Sequence, residues 1–360
     1  MMENIRGSLQ RFGPWIRVVV CLALLSFLFF KLDMTSLVQA ARHVSAHWVW
    51  LIVGLGMTFL GLMAGAVRWK VILDTQGIHL STAATLRIYF IGQFFNAFLL
   101  GACGGDVARA YYVARGQTGR RAEAAATIIV DRAIGLFCTI LFACVMILIR
   151  MHVFLDHTGP RDTGFMMIFF LLAAMLAVVA LFSKNVFEHF RFFQAIENTT
   201  RIGPLIRRAY DVFFLCRKKH RMLATSAALS MASLVFLTLA CWDFGQALEL
   251  DVELLDYLAL FPVITVLMSV PLTPGALGVR ESLFVSLFRS VMVDKPHALV
   301  MSLLVYAGGL FWSLVGGALY LGIGSKDEHP LHSDIGPWSE DIGSSDEPTK
   351  SAKDTQKRKT

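Results

Sequence analysis

The stretch that decides the fold is residues 126–149, ATIIVDRAIGLFCTILFACVMILI. A helix needs about 20 mostly apolar residues to cross a bilayer, and this stretch meets that length with only Asp131 and Arg132 charged. Ionisable groups among aliphatic residues are costly in a membrane unless they are paired or hydrated. Because adjacent residues on a helix do not face each other, we expect Asp131 and Arg132 each to have a partner on another helix.

The same apolar pattern recurs along the chain. Of its 360 residues, 56% are hydrophobic and only 16% are charged, whereas soluble domains average about 25% charged residues. This composition excludes a soluble enzyme, a disordered protein and a disulfide scaffold. The sequence therefore predicts an all-α polytopic membrane protein, with membrane spans at roughly 15–31, 47–67, 126–149, 164–183, 222–245 and 298–323.

Charge is concentrated at the C-terminus of the chain. Residues 325–360 contain 14 charged residues and few hydrophobic ones. Such a composition does not bury enough apolar surface to fold. We therefore predict a transmembrane domain at 1–324 and a disordered, cytoplasmic tail at 325–360.

Two further apolar regions, 81–104 and 257–293, are interrupted. The first ends in a glycine cluster, and the second contains Pro262 followed by a Pro/Gly-rich stretch at 271–278. Proline removes a helix donor, and glycine permits open backbone. Because such backbone is tolerated at membrane depth only where protein or water covers it, we expect two re-entrant helical hairpins.

The loop charges orient these segments through the positive-inside bias. Segment 184–221 carries nine cations and three acids, a net charge of +6, so we place it in the cytoplasm. A full crossing by 81–104 would move this loop outside. We therefore predict about six spans plus two hairpins that enter from opposite faces, with both termini cytoplasmic. The first hairpin then has basic cytoplasmic flanks, namely Arg68, Lys70, Arg109, Arg115, Arg120 and Arg121.

This topology also accounts for the net charge of +7, and we predict no nucleic-acid partner. Paired interrupted segments that enter from opposite faces are typical of transporters with a site near the midplane.

The first candidate site is the stretch Gly104-Gly105-Asp106-Val107-Ala108-Arg109. The glycines allow a close approach, and Asp106 suits the N-cap of a following helix. Asp106 and Arg109 are three positions apart and can pair on one helix face. A capped helix with a local ion pair would explain this pattern as well as a functional site would.

The second candidate is Asp131-Arg132 itself. One interpretation is an anion-binding arginine in an internal cavity, and the other is a structural pair between helices. The sequence leaves both open.

The third candidate is the stretch PLTPGALGVRES at 271–282. A Pro/Gly break followed by Arg280-Glu281 and an apolar run resembles a hairpin tip that leads into a half-helix. The N-terminus of such a helix, with Arg280 beside it, would attract a phosphate.

Other features carry simpler interpretations. The six cysteines show no CxxC spacing, the histidines show no HxxxH or HExxH pattern, and no nucleotide-binding GxxxxGK[ST] motif is present. We predict no metal site and no cofactor. Glycines within two spans predict close helix packing, namely Gly61, Gly65, Gly308, Gly309, Gly316 and Gly317.

The order of these motifs resembles one family. The quoted stretches, together with Arg68-Trp69-Lys70, Tyr89-Phe90-Ile91-Gly92 and Phe94-Phe95-Asn96, are similar to the flippase-like transmembrane family named after lysylphosphatidylglycerol synthase. The resemblance covers about residues 10–323. It implies a bacterial or archaeal inner-membrane protein that moves or handles polar lipids.

The family motifs map onto this chain residue by residue. GGD-x-x-R corresponds to Gly104, Gly105, Asp106 and Arg109, D-R-x-x-G to Asp131, Arg132 and Gly135, and G-x-G-x-R-E to Gly278, Arg280 and Glu281. Leu100 and Ala276 depart from the proline and glycine usual in the family. The full synthases resembling this chain carry a soluble aminoacyltransferase domain. Only the 36 tail residues 325–360 follow the predicted transmembrane domain, so we expect no aminoacyl transfer by this chain alone.

We therefore predict a lipid translocase or flippase-like carrier. Arg109, Arg132 and Arg280 would bind a lipid phosphate in a cavity between the two hairpins. A set of supporting residues would hold them, namely Gly104, Gly105, Asp106, Asp131, Gly278 and Glu281. The expected partner is a membrane phospholipid or another polar lipid, with a second copy of the chain or a separate lipid-modifying enzyme as further partners.

Two alternatives stay open, and enzyme activity is the less favoured prediction. One is a membrane enzyme acting on lipid-linked substrates, with Asp106 or Asp131 as a base. The other is an accessory subunit whose basic loop docks a partner.

Overall fold

The computed structural model describes residues 47–98, 104–115, 121–155, 169, 219–269 and 278–322. Their secondary structure is helical. The elements are α1 (Trp48–Thr75), α2 (Thr82–Phe98), α3 (Gly104–Arg115), α4 (Arg121–Ile149), α5 (Met151–Leu155), α6 (His220–Ala247), α7 (Leu254–Met268), α8 (Val279–Phe288), a 3-10 turn (Arg289–Val291) and α9 (Lys295–Leu321).

Four of these helices, α1, α4, α6 and α9, are long and apolar enough to cross a membrane, with mean hydropathies of 1.8 to 2.5. At a rise of about 1.5 Å per residue each is about 40 Å long, more than the hydrocarbon thickness of about 30 Å. They coincide with the spans predicted at 47–67, 126–149, 222–245 and 298–323. The chain is a multi-pass membrane protein. The spans predicted at 15–31 and 164–183, and the tail at 325–360, lie outside the described residues.

Helices α1 and α6 form the most extensive helix pair. Gly54 lies against Phe244 and Gly61 against Leu237, while Lys219 donates from Nζ to the carbonyl oxygen of Thr75 over 2.6 Å. Because the contacting positions rise along α1 as they fall along α6, the two helices are antiparallel. A Cβ on Gly61 would lie 2.8 Å from Leu237 Cγ, so this glycine allows the close packing that the sequence predicts.

Polar contacts mark the two ends of the bundle. Lys219 and Thr75 lie at one end, which we call the Lys219 end. At the other, the Arg150 end, Arg150 donates to Glu253 over 2.6 Å and to Asp256 over 2.8 Å. Burial lowers the pKa of Arg150, but its hydrogen bonds to these two carboxylates raise the pKa above its ordinary value. The ion pairs therefore join the end of α4 to the start of α7.

Each interrupted region consists of two short helices that are connected to one end of the bundle. Helix α2 follows α1, and α3 precedes α4, both at the Lys219 end. Helix α7 follows α6 at the Arg150 end, and α8 leads into α9, whose residues Ala298 and Met301 share a core cluster with Leu248 and Val252 of that end. The α2–α3 and α7–α8 pairs are thus connected to opposite ends. The segments between the paired helices, 99–103 and 270–277, lie outside the described residues.

Pro262 does not interrupt the chain as expected, because α7 continues through it from Leu254 to Met268. Proline removes one helix hydrogen bond. Its neighbours compensate by packing, since Leu260, Val263 and Ile264 are fully buried.

Helix α9 contacts both helix pairs. Near its start, Ser302 and Tyr306 contact Arg280 of α8. Towards its end, Gly316 and Gly317 pack on α2, where a Cβ on Gly316 would lie 2.0 Å from the carbonyl oxygen of Phe90. Ser302 and Gly316 are 14 positions apart, about 21 Å along the axis of α9.

Candidate functional site

Asp131 is the centre of a buried ionic network. It lies on α4 and is 1% exposed. Arg68 of α1 donates from Nε to Asp131 Oδ1 over 2.7 Å, and Arg109 of α3 donates from Nη2 to Oδ2 over 3.3 Å. Since a buried carboxylate is tolerated only when it is paired and hydrogen-bonded, the two arginines account for its burial.

Asp106 extends the network to Arg132. Arg132 donates from Nε and Nη2 to the two carboxylate oxygens of Asp106, over 2.8 and 3.0 Å. Arg109 also reaches Asp106, with Nη1 3.4 Å from Oδ1. The five side chains therefore alternate in charge, in the order Arg68, Asp131, Arg109, Asp106 and Arg132. We call this set the arginine–aspartate cluster. Its formal charge is +1.

Aromatic rings enclose the central arginine of the cluster. The guanidinium carbon of Arg109 lies 4.1 Å from the ring centroid of Trp69 and 4.8 Å from that of Tyr89. Such cation–π contacts favour a cation that has lost its water. Trp69 is itself held by Thr127, which accepts from its Nε1 over 3.4 Å. The Nε of Arg109 has no hydrogen-bond partner among the described residues.

Small residues make room for this network. A Cβ on Gly105 would lie 1.9 Å from the carbonyl oxygen of Gly92, so α2 and α3 meet backbone to backbone. Asn96 strengthens this contact, since its Oδ1 accepts from the Gly105 amide over 2.8 Å. A Cβ on Gly135 would lie 2.8 Å from Arg68 Nη1. The glycines of both motifs thus serve the packing around the arginines, and Gly104 begins α3.

Arg280 and Glu281 form a separate ion pair on α8. Arg280 is 3% exposed. It donates from Nε to Ser302 Oγ over 3.1 Å and lies 4.2 Å from the ring centroid of Tyr306. Glu281 also accepts from the amide of Gly278, whose φ of +84° favours glycine. This pair contacts the early part of α9, whereas the α2–α3 pair contacts α9 near its end.

The three arginines predicted to bind phosphate differ in accessibility. The side chain of Arg132 is 52% exposed, that of Arg109 4% and that of Arg280 3%. Arg109 and Arg280 are enclosed by carboxylate, hydroxyl and aromatic groups. Arg132 alone among the three has half of its side-chain surface free of the other described residues.

Each charge of the Asp131-Arg132 pair has its partner on another helix, as the sequence predicts. The pairing of Asp106 with Arg109 is also present. Asp106 is not an N-cap, however. Helix α3 begins at Gly104, so Asp106 lies in its first turn, and its carboxylate accepts from Arg109 and Arg132 instead of capping the helix.

The part played by Arg68 was not predicted from the sequence. Arg68, Lys70 and Arg109 were expected among the loop charges, but α1 continues to Thr75 and Arg109 is buried. Ser230 was also missed, and its Oγ accepts from Arg68 Nη1 over 3.1 Å. The sequence contains a pattern that could have identified Arg68 as the partner of Asp131. Asp131 needs a cation from another helix, and Arg68 follows directly after a predicted span.

Comparison with known proteins gives the family. A family model described as the lysylphosphatidylglycerol synthase TM region matches residues 15–316. The chain belongs to this family. The lysylphosphatidylglycerol synthase TM region includes the whole arginine–aspartate cluster, the Arg280–Glu281 pair and all but the end of α9. The chain is also 23% identical, over 284 residues, to a UPF0104 membrane protein of Pyrococcus horikoshii. That alignment covers 74% of this chain and 84% of the relative.

Proposed function

We propose that the chain is an inner-membrane lipid carrier that binds the phosphate of a polar lipid headgroup at the Arg132 side of the arginine–aspartate cluster. The family supports a lipid-related membrane protein. The observation that carries the proposal is a cluster with one excess positive charge, in which Arg132 is half exposed. Guanidinium groups bind phosphate through paired hydrogen bonds, which suits a headgroup.

The other members of the cluster would position Arg132. Asp106 fixes its guanidinium through two oxygens, and Arg109 holds Asp106 in turn. Asp131 and Arg68 anchor Arg109 to the long helices α4 and α1. A phosphate would then meet an arginine whose orientation is already fixed, which reduces the entropy lost on binding.

The two helix pairs would act as re-entrant hairpins. Their connection to opposite ends of the bundle supports this arrangement, because each pair starts and finishes at the same end. The separate location of Arg280, which contacts α9, favours two separate phosphate positions over one shared cavity. The half-helix α8, with Arg280 and Glu281 in its first turn, would provide the second position.

The orientation follows from the distribution of charge. The Lys219 end adjoins the segment 184–221, with its net charge of +6, so we place this end in the cytoplasm. The Arg150 end, with its acidic residues Glu249, Asp251, Glu253 and Asp256, would face the other side. Lipid chains would stay in the bilayer while the headgroup passes along the protein.

The alternative of a membrane enzyme has less support. Asp106 and Asp131, which the sequence offered as bases, both accept hydrogen bonds from arginines. The oxygens that would have to accept a proton are thus occupied by guanidinium groups in both carboxylates. The accessory-subunit alternative depends on a loop outside the described residues.

The test is translocation by the purified full chain in vesicles of phosphatidylethanolamine with a trace of fluorescent phosphatidylglycerol. Chemical quenching from outside reports how fast the probe exchanges between leaflets. We expect faster exchange than in protein-free vesicles, and a loss of about tenfold for Arg132→Gln, since a charge-assisted hydrogen bond contributes about 1.5–3 kcal/mol.

Arg289→Gln is the matched control, because Arg289 is exposed and lies beyond α8. It should exchange lipid at the wild-type rate. If Arg132→Gln and the control exchange lipid equally fast, Arg132 is not the phosphate site. If the wild type moves neither this probe nor a fluorescent phosphatidylethanolamine, the carrier proposal loses its support.

A further inference from the structure

A cavity of about 530 Å³ lies between α1, α2 and α9, on a different face of α2 from the arginine–aspartate cluster. Tyr89, Gly92 and Asn96 of α2 face the cluster and its supporting contacts. Leu86, Arg87 and Phe90 line the cavity. The volume falls within the range of about 300–1,000 Å³ that is usual for ligand pockets.

The walls of the cavity are apolar and well fixed. The ring centroids of Phe59 and Trp312 lie 4.7 Å apart with their planes tilted by 36°, and the centroid of Phe90 lies 6.3 Å from that of Trp312. The indole Nε1 of Trp312 donates to the carbonyl oxygen of Leu55 over 3.0 Å. This bond satisfies its polar atom, so the ring can present an apolar surface to the cavity. Met63, Val315 and Leu319 extend the same surface.

Among the residues that the structure describes, Arg87 is the one charged residue that lines this cavity. Within the part of the chain that the structure describes, no carboxylate pairs with it. A half-buried cation beside an apolar surface is costly in a membrane unless an anion or water neutralises it. The cavity therefore combines a long apolar wall with the positive group of Arg87.

We propose that this cavity binds one phospholipid of the surrounding bilayer, with an acyl chain along the Phe59–Trp312 wall and the phosphate on Arg87. Arg87 is five positions from the start of α2, about 8 Å from the Lys219 end of that helix. At this depth the headgroup of a phospholipid joins its acyl chains. The guanidinium supplies the hydrogen-bond geometry that phosphate accepts.

This site goes beyond the proposed translocation. It uses none of the residues of the arginine–aspartate cluster, and a lipid can occupy it whether or not the protein moves lipid. The binding measurement below therefore succeeds or fails independently of the translocation assay.

The test uses the protein in micelles of a maltoside detergent, which carries no phosphate, with a trace of a phosphatidylglycerol that has a photoactivatable group on one acyl chain. After irradiation of the full-length protein, peptide mapping locates the cross-links. We expect them at Met63, Val315 and Leu319. Arg87→Gln should reduce this labelling about tenfold, and Arg289→Gln should leave it unchanged.

Two further measurements keep the test decisive if Arg87→Gln does not fold. In the wild type, unlabelled phosphatidylglycerol should compete with the probe, whereas diacylglycerol, which lacks the phosphate, should not. Ala83→Trp, a substitution at an exposed position that lines the cavity, should reduce the labelling.

Three results would overturn the proposal. The first is labelling spread evenly over the outer surfaces of α1 and α9. The second is equal competition by diacylglycerol. The third is labelling of segment 1–46 in place of Met63, Val315 and Leu319, because that segment of the chain would then separate the cavity residues from the lipid.

Discussion

Arg68 on α1 donates to Asp131 on α4 over 2.7 Å, although the two residues are 63 positions apart in the chain. This contact joins two membrane-spanning helices, and through Arg109 it also fixes the α2–α3 pair. The arginine–aspartate cluster is therefore a structural centre of the bundle as well as the candidate site.

Asp131→Asn should destabilise the protein strongly, because Arg68 and Arg109 would lose their buried counter-charge. Removing one partner of a buried pair costs about 3–5 kcal/mol. Unfolding of the purified protein by SDS titration in mixed micelles measures the change. Asp74→Asn is the control, since Asp74 pairs with Lys70 near the surface and such pairs contribute about 1 kcal/mol or less. Equal unfolding curves for the two variants would contradict the central role of Asp131.

Gly105→Ala should separate α2 from α3. Its Cβ would lie 1.9 Å from the carbonyl oxygen of Gly92, and backbone at this point has little freedom to move. We expect a loss of about 1–3 kcal/mol, measured by the same titration. Gly309→Ala is a matched control, because a Cβ there meets nothing within 4 Å. The predicted packing is wrong if Gly105→Ala is as stable as Gly309→Ala.

Gly278→Ala should weaken the start of α8, because Gly278 has a φ of +84°. Its ψ of −49° lies outside the left-handed helical region, so any residue with a Cβ is strained here, at a cost of about 1–3 kcal/mol. Gly309→Ala is again the matched control, because a Cβ there also meets nothing within 4 Å and its backbone is helical. We expect Gly278→Ala to be less stable than Gly309→Ala in thermal unfolding in detergent. Equal stability of the two variants would show that the backbone conformation of Gly278 does not limit this position.

The two ends of the bundle should differ in accessibility. Met292 is 90% exposed at the Arg150 end, and His220 is exposed at the Lys219 end. In a variant whose six native cysteines are replaced by alanine, a membrane-impermeant maleimide should label Met292→Cys in intact cells. It should label His220→Cys only after permeabilisation. The opposite pattern would reverse the proposed orientation.

The sequence predicted the long helices well because hydropathy is a local property. It also showed that Asp131 and Arg132 need partners on other helices. It did not identify Arg68 as such a partner, because contacts between distant positions depend on how the helices pack. Pro262 lies inside α7 because burial of its neighbours compensates for the lost hydrogen bond. Asp106 fulfils a tertiary role that its local pattern, typical of a cap, does not reveal.

The backbone contact between Gly316 and Phe90 restricts which parts of the protein can move against each other. With no side chain between them, α2 and α9 would have to travel together as one rigid body. Helix α8 touches α9 through the side chains of Arg280, Ser302 and Tyr306, which can change rotamer. Any opening and closing of the bundle along α9 would therefore take place at the α8 contact.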